Sequence, residues 1–229
     1  MHLTQLHADV TACRACPRLA AHARRCRTVA SAGWWRPVPG AGEPSAWLWV
    51  VGLAPGAKGA GLTGVPFTRD ASGVFLRGAL QRAGVDEREV YMSNAVRCVP
   101  PGNRPSAAEV ARCRRFLRQE WELVRSPVVV ALGAVAWRAV LDVAGVRPRA
   151  AFGHGVRVEA AGRVLLASYH VSPLNVRTGR LTAERFDALL AQACAAREGV
   201  PACRAVRSPG GQVAGRSGLR PTPPRMRLT

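Results

Sequence analysis

The sequence predicts an α/β fold in which a mainly parallel β-sheet is covered by helices on both faces. Short apolar runs without polar alternation, such as those at 47–51 and 127–132, are typical of strands buried on both faces. Each of these runs is followed by a segment whose apolar residues recur at helical spacing. Strands that alternate with helices along a chain pair in parallel, because each crossover helix returns the chain to the same edge of the sheet.

The elements follow one another in a regular order. A helical stretch over residues 3–26, broken near Pro17, precedes an irregular Gly/Pro-rich segment at 31–45. We predict strands at 47–51, 90–95, 127–132 and 164–168, the last of them paired with 156–159 across Ala161-Gly162. Helices are predicted at 74–83, at 133–144, from a capping box at Ser106-Ala-Ala-Glu109 to about 125, and from Thr182 to about 197.

We expect one folded domain over residues 1–198 and a distinct tail over 199–229. The tail holds six arginines, five prolines and five glycines, with no acidic residue and few large apolar side chains. Such a composition cannot bury enough apolar surface to offset the entropy lost on ordering. The tail is therefore predicted to be disordered.

The formal net charge of the 229-residue chain is +19, with 33 basic residues against 14 acidic ones. Lys58 is the single lysine, and a GC-rich genome would explain this choice of arginine but not the shortage of acids. The excess charge predicts a polyanionic partner, foremost a nucleic acid. No apolar stretch is long enough to cross a bilayer and no signal peptide opens the chain, so we expect a cytoplasmic protein without a membrane partner.

Seven cysteines in a reducing compartment favour metal ligation over disulfide bonds. Cys13-x2-Cys16 lies near the N-terminus, and Cys98 and Cys113 form a second, widely spaced pair. Four such residues could close an all-thiolate site for either zinc or an iron–sulfur cluster. The remaining cysteines, at 26, 194 and 203, have no comparable partners, and Cys194 on the last helix suits a small buried apolar position.

A long glycine-rich loop, Val50 to Gly73, follows the first strand. Its six glycines, two prolines and one phenylalanine indicate backbone that lies close to a ligand, with the Phe67 ring facing it. It is not a Walker loop, because Gly59 rather than Ser or Thr follows Lys58. The alternative interpretation is an ordinary surface loop, but loops of this length in compact domains are usually functional.

Polar and aromatic residues follow three of the predicted strands. Phe67 and Asp70, then Asn94, then the segment from His170 to Asn175 should meet at one edge of the sheet. An aromatic face, an amide with donor and acceptor, and a histidine suit a flat polar heterocycle. The competing interpretation is structural: a lone histidine in the core and an asparagine that caps a turn.

Four segments carry a family resemblance. They are Gly52-Leu-Ala-Pro-Gly-Ala, Gly64-Val-Pro-Phe-Thr-Arg-Asp, Ser93-Asn-Ala-Val-Arg-Cys-Val-Pro-Pro and His170-Val-Ser-Pro-Leu-Asn. Together they resemble the uracil-DNA glycosylase superfamily, and with the four cysteines between them they resemble its family 5, the type B iron–sulfur enzymes. The resemblance covers roughly residues 10–196. The combination of segments is specific to this family, although each segment alone is not.

The resemblance implies a three-layer α/β/α architecture with a central four-stranded, mainly parallel sheet. It implies a monomeric, nucleoid-associated prokaryotic enzyme that removes uracil from double-stranded DNA, initiating base excision repair. Hypoxanthine, xanthine and hydroxymethyluracil are expected as further substrates. A structural [4Fe-4S] cluster would be bound by Cys13, Cys16, Cys98 and Cys113.

The same resemblance implies roles for individual residues. Phe67 stacks on the flipped base, Asn94 reads its polar edge, and Gly52 and Ala54 line the pocket. His170 stabilises the negative charge of the departing base. The segment Ser172, Pro173, Leu174 and Asn175 contacts DNA, with Leu174 as the wedge that fills the vacated gap.

One departure from the superfamily pattern lies in the first motif, which in most members has an acid or amide that positions the attacking water. Residues 52–61 contain no Asp, Glu, Asn or Gln, a lack that family 5 shares. We therefore assign water activation, or stabilisation of the cationic sugar, to Asp70. The missing residue also leaves open a non-catalytic DNA-binding protein of the same fold with a four-cysteine metal site. At the second motif Val171 stands where many relatives have proline.

Overall fold

The computed structural model describes residues 2–147 and 150–199. In this part of the chain, helices and strands alternate as the sequence predicts. The helices are α1 (Leu3–Ala12), α2 (Pro17–Val29), α3 (Ala60–Thr63), α4 (Ala71–Arg82), α5 (Ala107–Leu123), α6 (Ala134–Val143), α7 (Pro173–Arg177) and α8 (Ala183–Gly199). The strands are β1 (Leu48–Gly52), β2 (Val90–Asn94), β3 (Val128–Leu132), β4 (Arg157–Ala160) and β5 (Arg163–Ser168).

The sheet has the order β2-β1-β3-β5-β4. Strands β2, β1, β3 and β5 are parallel to one another, which confirms the predicted parallel core of four strands. The fifth strand, β4, pairs antiparallel with β5 across the predicted turn. Strand β1 lies between β2 and β3 and is parallel to both. The loops that follow these three strands therefore open at the same edge of the sheet.

Alternate residues of each parallel strand point to opposite faces, as the pleat requires. On β1, Leu48 and Val50 pack with α4 and α8 on one face, whereas Trp49 and Val51 pack with α5 and α6 on the other. These two apolar layers enclose the sheet and confirm the three-layer α/β/α class. Helix α1 packs outside this core, against α5, through a small cluster of Leu6, Val10 and Phe116.

Local hydrogen bonds fix where the helices begin. The Ser106 hydroxyl accepts from the Glu109 amide while the Glu109 carboxylate accepts from the Ser106 amide, so the predicted capping box is present. Thr182 likewise accepts from the Arg185 amide at the start of α8.

Two segments that the sequence analysis treated as loop are partly helical. Helix α4 begins at Ala71 and not near Val74, and the glycine-rich loop before it contains the single turn α3. The segment from Ser172 to Asn175, expected as a loop that inserts into DNA, begins the short helix α7, because the Ser172 hydroxyl caps it and Pro173 occupies its first turn.

The predicted tail lies outside the described residues, except for the last residue of α8. Among the helices that the structure describes, none is both long and apolar enough to cross a membrane.

Candidate active site

The candidate site lies at the carboxyl edge of the parallel strands, where open α/β sheets bind ligands. Gly52 at the end of β1 is the register partner of Asn94 at the end of β2. A Cβ atom on Gly52 would overlap the Asn94 Oδ1 atom and would lie 2.6 Å from Phe67 Cζ. Only glycine at this position lets the amide and the ring edge approach the strand so closely. The structure therefore brings Gly52, Phe67 and Asn94 together, as the sequence predicts.

Asn94 is almost fully buried, with 4% of its surface exposed. Its amide oxygen lies beside the Cβ position of Gly52, which the Phe67 ring also approaches, so the amide and the ring meet at the end of β1. An amide offers a donor and an acceptor side by side, which suits a ligand with a paired N–H and C=O edge. Ala54 lies two residues beyond Gly52 in the same loop and is half-buried.

Phe67 has a left-handed backbone conformation, with φ of 54°. This conformation is unfavourable for a bulky residue and persists only where its surroundings enforce it. Here the Phe67 carbonyl accepts from Arg77 Nε at 3.3 Å, and it lies so close to Gly73 that a side chain there would overlap it. The first turns of α4 thus hold the ring of Phe67 against the end of β1.

Asp70 is the N-cap of α4, and its Oδ1 accepts from the Gly73 amide at 2.9 Å. Its second oxygen, Oδ2, faces the glycine-rich loop, where a Cβ atom on Gly56 would lie 2.7 Å away and one on Gly59 would overlap it. One carboxylate oxygen is therefore used in capping, and the other faces the backbone of the loop. The sequence analysis identified Asp70 as the loop's only acid but did not predict its capping role.

His170 follows β5 and lies beside Gly133, the N-cap of α6, whose Cβ position would be 3.6 Å from His170 Cβ. Burial lowers the pKa of His170, and the carboxylate of Asp70 partly offsets this effect. Asp70 and His170 both follow the carboxyl ends of parallel strands, and Asp70 is near enough to act electrostatically on the imidazole. At neutral pH the imidazole is uncharged and can donate one hydrogen bond to a ligand.

The segment after His170 presents an apolar side chain to solvent. Leu174, in the first turn of α7, is 61% exposed. Asn175 points inward instead, because its Nδ2 donates to the His170 carbonyl at 2.7 Å. Ser172 is engaged as the cap of α7. The hydroxyl and the amide thus have structural partners, and Leu174 and Pro173 are the exposed members of the predicted DNA-contacting set.

The four predicted ligand cysteines line one cavity, of about 210 Å³, between α2, α5 and the chain after β2. Arginines at 14, 24, 27, 36, 97, 112 and 115 also line it. No group of three His, Cys, Asp or Glu side chains in the described ranges is arranged to hold a single metal ion. The cavity is several times the roughly 30 Å³ of one water molecule, so its volume suits a group of several atoms.

The sulfur atoms of this cavity receive N–H donors. The Arg97 amide donates to Cys113 Sγ at 3.3 Å, and Arg115 Nη2 lies 3.3 Å from Cys13 Sγ. Burial raises the pKa of Cys98 to about 12, and the other three thiols add to this increase. The four sulfurs are therefore close enough to interact, and their donor chemistry fits a thiolate-ligated iron–sulfur cluster, whose sulfurs accept such hydrogen bonds.

A buried polar network joins this cavity to the end of β2. Arg97 and Glu120 form an ion pair in which both side chains are 1% exposed, and Glu120 also accepts from Tyr91 and from Ser93 at 2.9 Å each. A desolvated carboxylate with three donors holds its neighbours in one arrangement. The network thus fixes the backbone on both sides of Asn94, which follows Ser93. Sequence reasoning missed Glu120, since a single acid on a helix gives no signal of burial.

A second residue that the sequence analysis passed over is His154, which stacks on Tyr169 with ring centroids 5.4 Å apart. Its signal in the sequence is slight: a histidine between two glycines, just before the β4–β5 hairpin.

Comparisons with known proteins agree with this geometry. A family model described as the uracil DNA glycosylase superfamily matches residues 39–194. A type-5 uracil-DNA glycosylase from Pyrobaculum aerophilum is 47% identical, with 80% of this chain and 88% of that protein covered. One from Thermus thermophilus is 44% identical, with 80% and 93% covered. A type-4 uracil-DNA glycosylase from Pyrobaculum aerophilum is 34% identical, with 64% and 68% covered. The two type-5 proteins thus share a higher sequence identity with this chain than the type-4 protein does, and they match more of its length.

Proposed function

This chain belongs to the uracil DNA glycosylase superfamily and, within it, to the type-5 uracil-DNA glycosylases, and we propose from its site that it excises uracil from DNA by a leaving-group mechanism. As a member of this family it is a DNA glycosylase, a hydrolase that acts in DNA repair. The observation that carries the mechanism is the buried Asn94 amide, which lies beside Phe67 at the carboxyl edge of the sheet.

The target nucleotide must leave the duplex before its glycosidic bond can be reached. Flipping costs a few kcal/mol of stacking and pairing. Leu174 is the exposed apolar side chain that fills the gap, since α7 presents it beside the His170 segment. Its position on a capped helix, rather than on a free loop, reduces the entropy lost when it inserts.

The flipped base is recognised through its amide edge. Phe67 stacks on the ring, and the Asn94 side chain supplies one donor and one acceptor to the paired N–H and C=O groups. Hypoxanthine, xanthine and 5-hydroxymethyluracil carry the same kind of N–H and C=O edge, so we propose that they are substrates as well. Cytosine presents a different donor and acceptor pattern there and is excluded.

Bond cleavage is dissociative, with an oxocarbenium-like sugar and an anionic base. Neutral His170 donates a hydrogen bond to a base carbonyl, where the negative charge develops. A preorganised donor of this kind contributes on the order of 3–4 kcal/mol. The carboxylate of Asp70, whose Oδ2 lies beside the glycine-rich loop, stabilises the sugar cation or orients the attacking water. Lys58, the single lysine, is exposed in the loop, and we propose that the reaction proceeds without a Schiff base.

We also propose that Cys13, Cys16, Cys98 and Cys113 bind a [4Fe-4S] cluster with a structural role. The common cavity of the four thiols, the N–H donors to their sulfurs and the surrounding arginines support it. When bound, the cluster would supply four metal–thiolate bonds that join α1, α2 and α5.

The test is single-turnover excision from a uracil-containing duplex. Wild-type protein should release uracil and leave an abasic site without strand cleavage, whereas Asn94→Ala and His170→Ala should each lose at least about 100-fold in rate. Asn103→Gly, at an exposed asparagine with a positive φ, is the matched control and should retain the rate. DNA binding without excision by the wild-type protein would instead identify a non-catalytic binding protein.

A further inference from the structure

His154 lies in the loop between α6 and β4, outside the set of residues that would touch the base. Its Nε2 is 3.2 Å from the Arg185 carbonyl oxygen, and its Nδ1 is 3.3 Å from the Tyr169 amide nitrogen. A carbonyl can only accept a hydrogen bond and an amide N–H can only donate one. The Ser168 hydroxyl, which can donate or accept, also lies 3.4 Å from Nδ1 and is compatible with either form. The carbonyl and the amide therefore select a single form of the ring, neutral, with the proton on Nε2 and a lone pair on Nδ1.

The amide that His154 holds belongs to the residue immediately before His170. Three consecutive residues, Ser168 to His170, each have a backbone group with a fixed partner. The Gly133 amide donates to the Ser168 carbonyl at 2.7 Å, the Tyr169 amide donates to His154, and Asn175 donates to the His170 carbonyl at 2.7 Å. Of these contacts, the one to His154 depends on a group that can gain a proton near neutral pH.

The ring of Tyr169 strengthens the same arrangement. It stacks on His154 at an interplanar angle of 21°, and the guanidinium groups of Arg180 and Arg185 lie 4.6 Å and 5.6 Å from its centroid. Phe152 contacts its edge, with centroids 5.9 Å apart. Tyr169 is thus packed between His154 and two cations, and any shift of its backbone displaces His170.

We propose that His154 is a positioning residue for the excision reaction: as a neutral acceptor it holds the Tyr169 amide and so orients His170 toward the departing base. This inference rests on the proposed function. A donor that must meet a developing charge is effective only when its position is fixed before the reaction, because small misplacements reduce the rate strongly.

The arrangement makes the rate sensitive to acid. Protonation of His154 places N–H groups on both ring nitrogens, so the Tyr169 amide then faces a donor and loses its acceptor. Burial lowers the pKa of His154, and the nearby charge of Arg185 lowers it further, while the Arg185 carbonyl acts in the opposite direction. Arg180 and Arg185 both lie over the Tyr169 ring, and the charge of Arg185 disfavours a positive charge on His154. The contact is therefore present at neutral pH and is lost as the pH falls through this lowered pKa.

The experiment compares His154→Ala with His154→Asn in single-turnover excision of uracil. Alanine removes the acceptor, and the rate should fall at least about 10-fold, while the Kd for DNA with a non-cleavable uracil analogue changes less than about 2-fold. The Oδ1 of asparagine can replace Nδ1 as acceptor, so His154→Asn should recover most of the rate. Asparagine does not titrate, so the excision rate of His154→Asn should fall less than the wild-type rate at mildly acidic pH. His22→Ala, at a half-buried histidine on α2, is the control and should leave the pH profile unchanged.

Two results would overturn the inference: an unchanged rate in His154→Ala, or a His154→Asn variant that is as slow as the alanine variant. An independent readout is the ¹⁵N NMR spectrum of His154, which should show the Nε2-protonated tautomer at neutral pH. The Nδ1-protonated tautomer would refute the proposed contact even if the wild-type protein excised nothing. A wild-type protein without uracil excision would contradict the proposed function, and the NMR result would still decide the role of the ring.

Discussion

At the scale of single residues, the site depends on side chains that serve the fold and the chemistry together. Asp70 caps α4 with one oxygen and faces the glycine-rich loop with the other. Phe67 keeps a left-handed conformation because α4 holds its carbonyl. The N-cap of α4 therefore determines both where the aromatic ring lies and where the negative charge lies. A simple alanine substitution at Asp70 would disturb both roles at once.

The two roles of Asp70 can be separated by comparing Asp70→Asn with Asp70→Ala. Asparagine is as good an N-cap as aspartate, so Asp70→Asn should keep the free energy of unfolding, whereas Asp70→Ala should lose about 1 kcal/mol. Both variants lack the charge and should excise uracil at least about 100-fold more slowly, if the carboxylate acts on the sugar or the water. Urea denaturation and single-turnover excision measure the two effects.

The matched control for this pair is Asp86→Asn, in the turn just before β2, where the carboxylate also caps a backbone amide, that of Arg88. It should change neither stability nor rate appreciably. DNA affinity in the Asp70 variants should be retained or increased, because removal of a negative charge reduces repulsion of the phosphates. Excision by Asp70→Asn at the wild-type rate would eliminate the catalytic role of the carboxylate.

At the scale of elements, the N-terminal helices are attached to the core by few apolar contacts. The cluster that joins α1 to α5 has only Leu6, Val10 and Phe116 as its buried members. Helix α2 is tied to α5 by an ion pair in which Arg18 donates to both oxygens of Glu109, at 2.9 Å and 2.6 Å. Because Arg18 is partly exposed, this pair contributes little. A bound cluster at the four cysteines would supply the missing attachment.

The cluster proposal predicts that the freshly purified protein is brown and contains about four iron atoms per chain. Cys98→Ser should lose most of the iron and become less soluble, since α1 and α2 would be released from α5. Cys26→Ser is the matched control, because Cys26 is also a partly buried free cysteine but does not line the cavity. Metal analysis and visible absorption provide the measurement. A colourless wild-type protein with one zinc ion would contradict the proposal, as would equal iron content in the two variants.

At the scale of the whole molecule, the acidic residues are largely engaged in ion pairs with arginines of the same chain. The carboxylates paired in this way are Asp86, Glu87, Glu89, Glu109, Glu120, Asp142, Glu159 and Asp187. With 33 basic residues against 14 acids, internal pairing leaves a large surplus of positive charge. That surplus suits a polyanion such as DNA, and it makes binding strongly dependent on salt.

The folded molecule should be less stable in mild acid, because burial favours the neutral form of four of its histidines. Burial is the first cause of a lowered pKa at His7, His22, His154 and His170, whose ordinary value is 6.5. The unfolded chain then binds more protons than the folded one as the pH falls below about 6.5, so stability declines in that direction.

Urea denaturation at about pH 7.5 and about pH 5.5 should therefore show a lower free energy of unfolding at the acidic value. The carboxylates with lowered pKa values titrate at more acidic pH and do not contribute in this window. His154→Asn should reduce the difference between the two conditions, since one titrating group is removed. Equal stability at both pH values would show that the buried histidines are protonated as readily in the folded state as in the unfolded one.

The sequence by itself determined the parallel strands, their order along the chain, the capping box at Ser106 and the residues that meet at the strand ends. Each of these depends on local periodicity, on a cap three residues from its partner, or on the rule that parallel strands end at one edge. The predicted disorder of the tail rests on its amino-acid composition alone. Residues 200–229 lie outside the described part of the chain, so this stays a prediction.

Only the tertiary structure decided how the site residues are held. The buried acid Glu120 and the contact of His154 with Tyr169 require partners that are distant in the sequence, 29 residues away for Tyr91 and Glu120 and 15 for Tyr169 and His154. Burial and hydrogen-bond partners are properties of packing, and no local pattern encodes them. The sequence therefore predicts which residues touch the base, whereas packing determines how the residues at the strand ends are held.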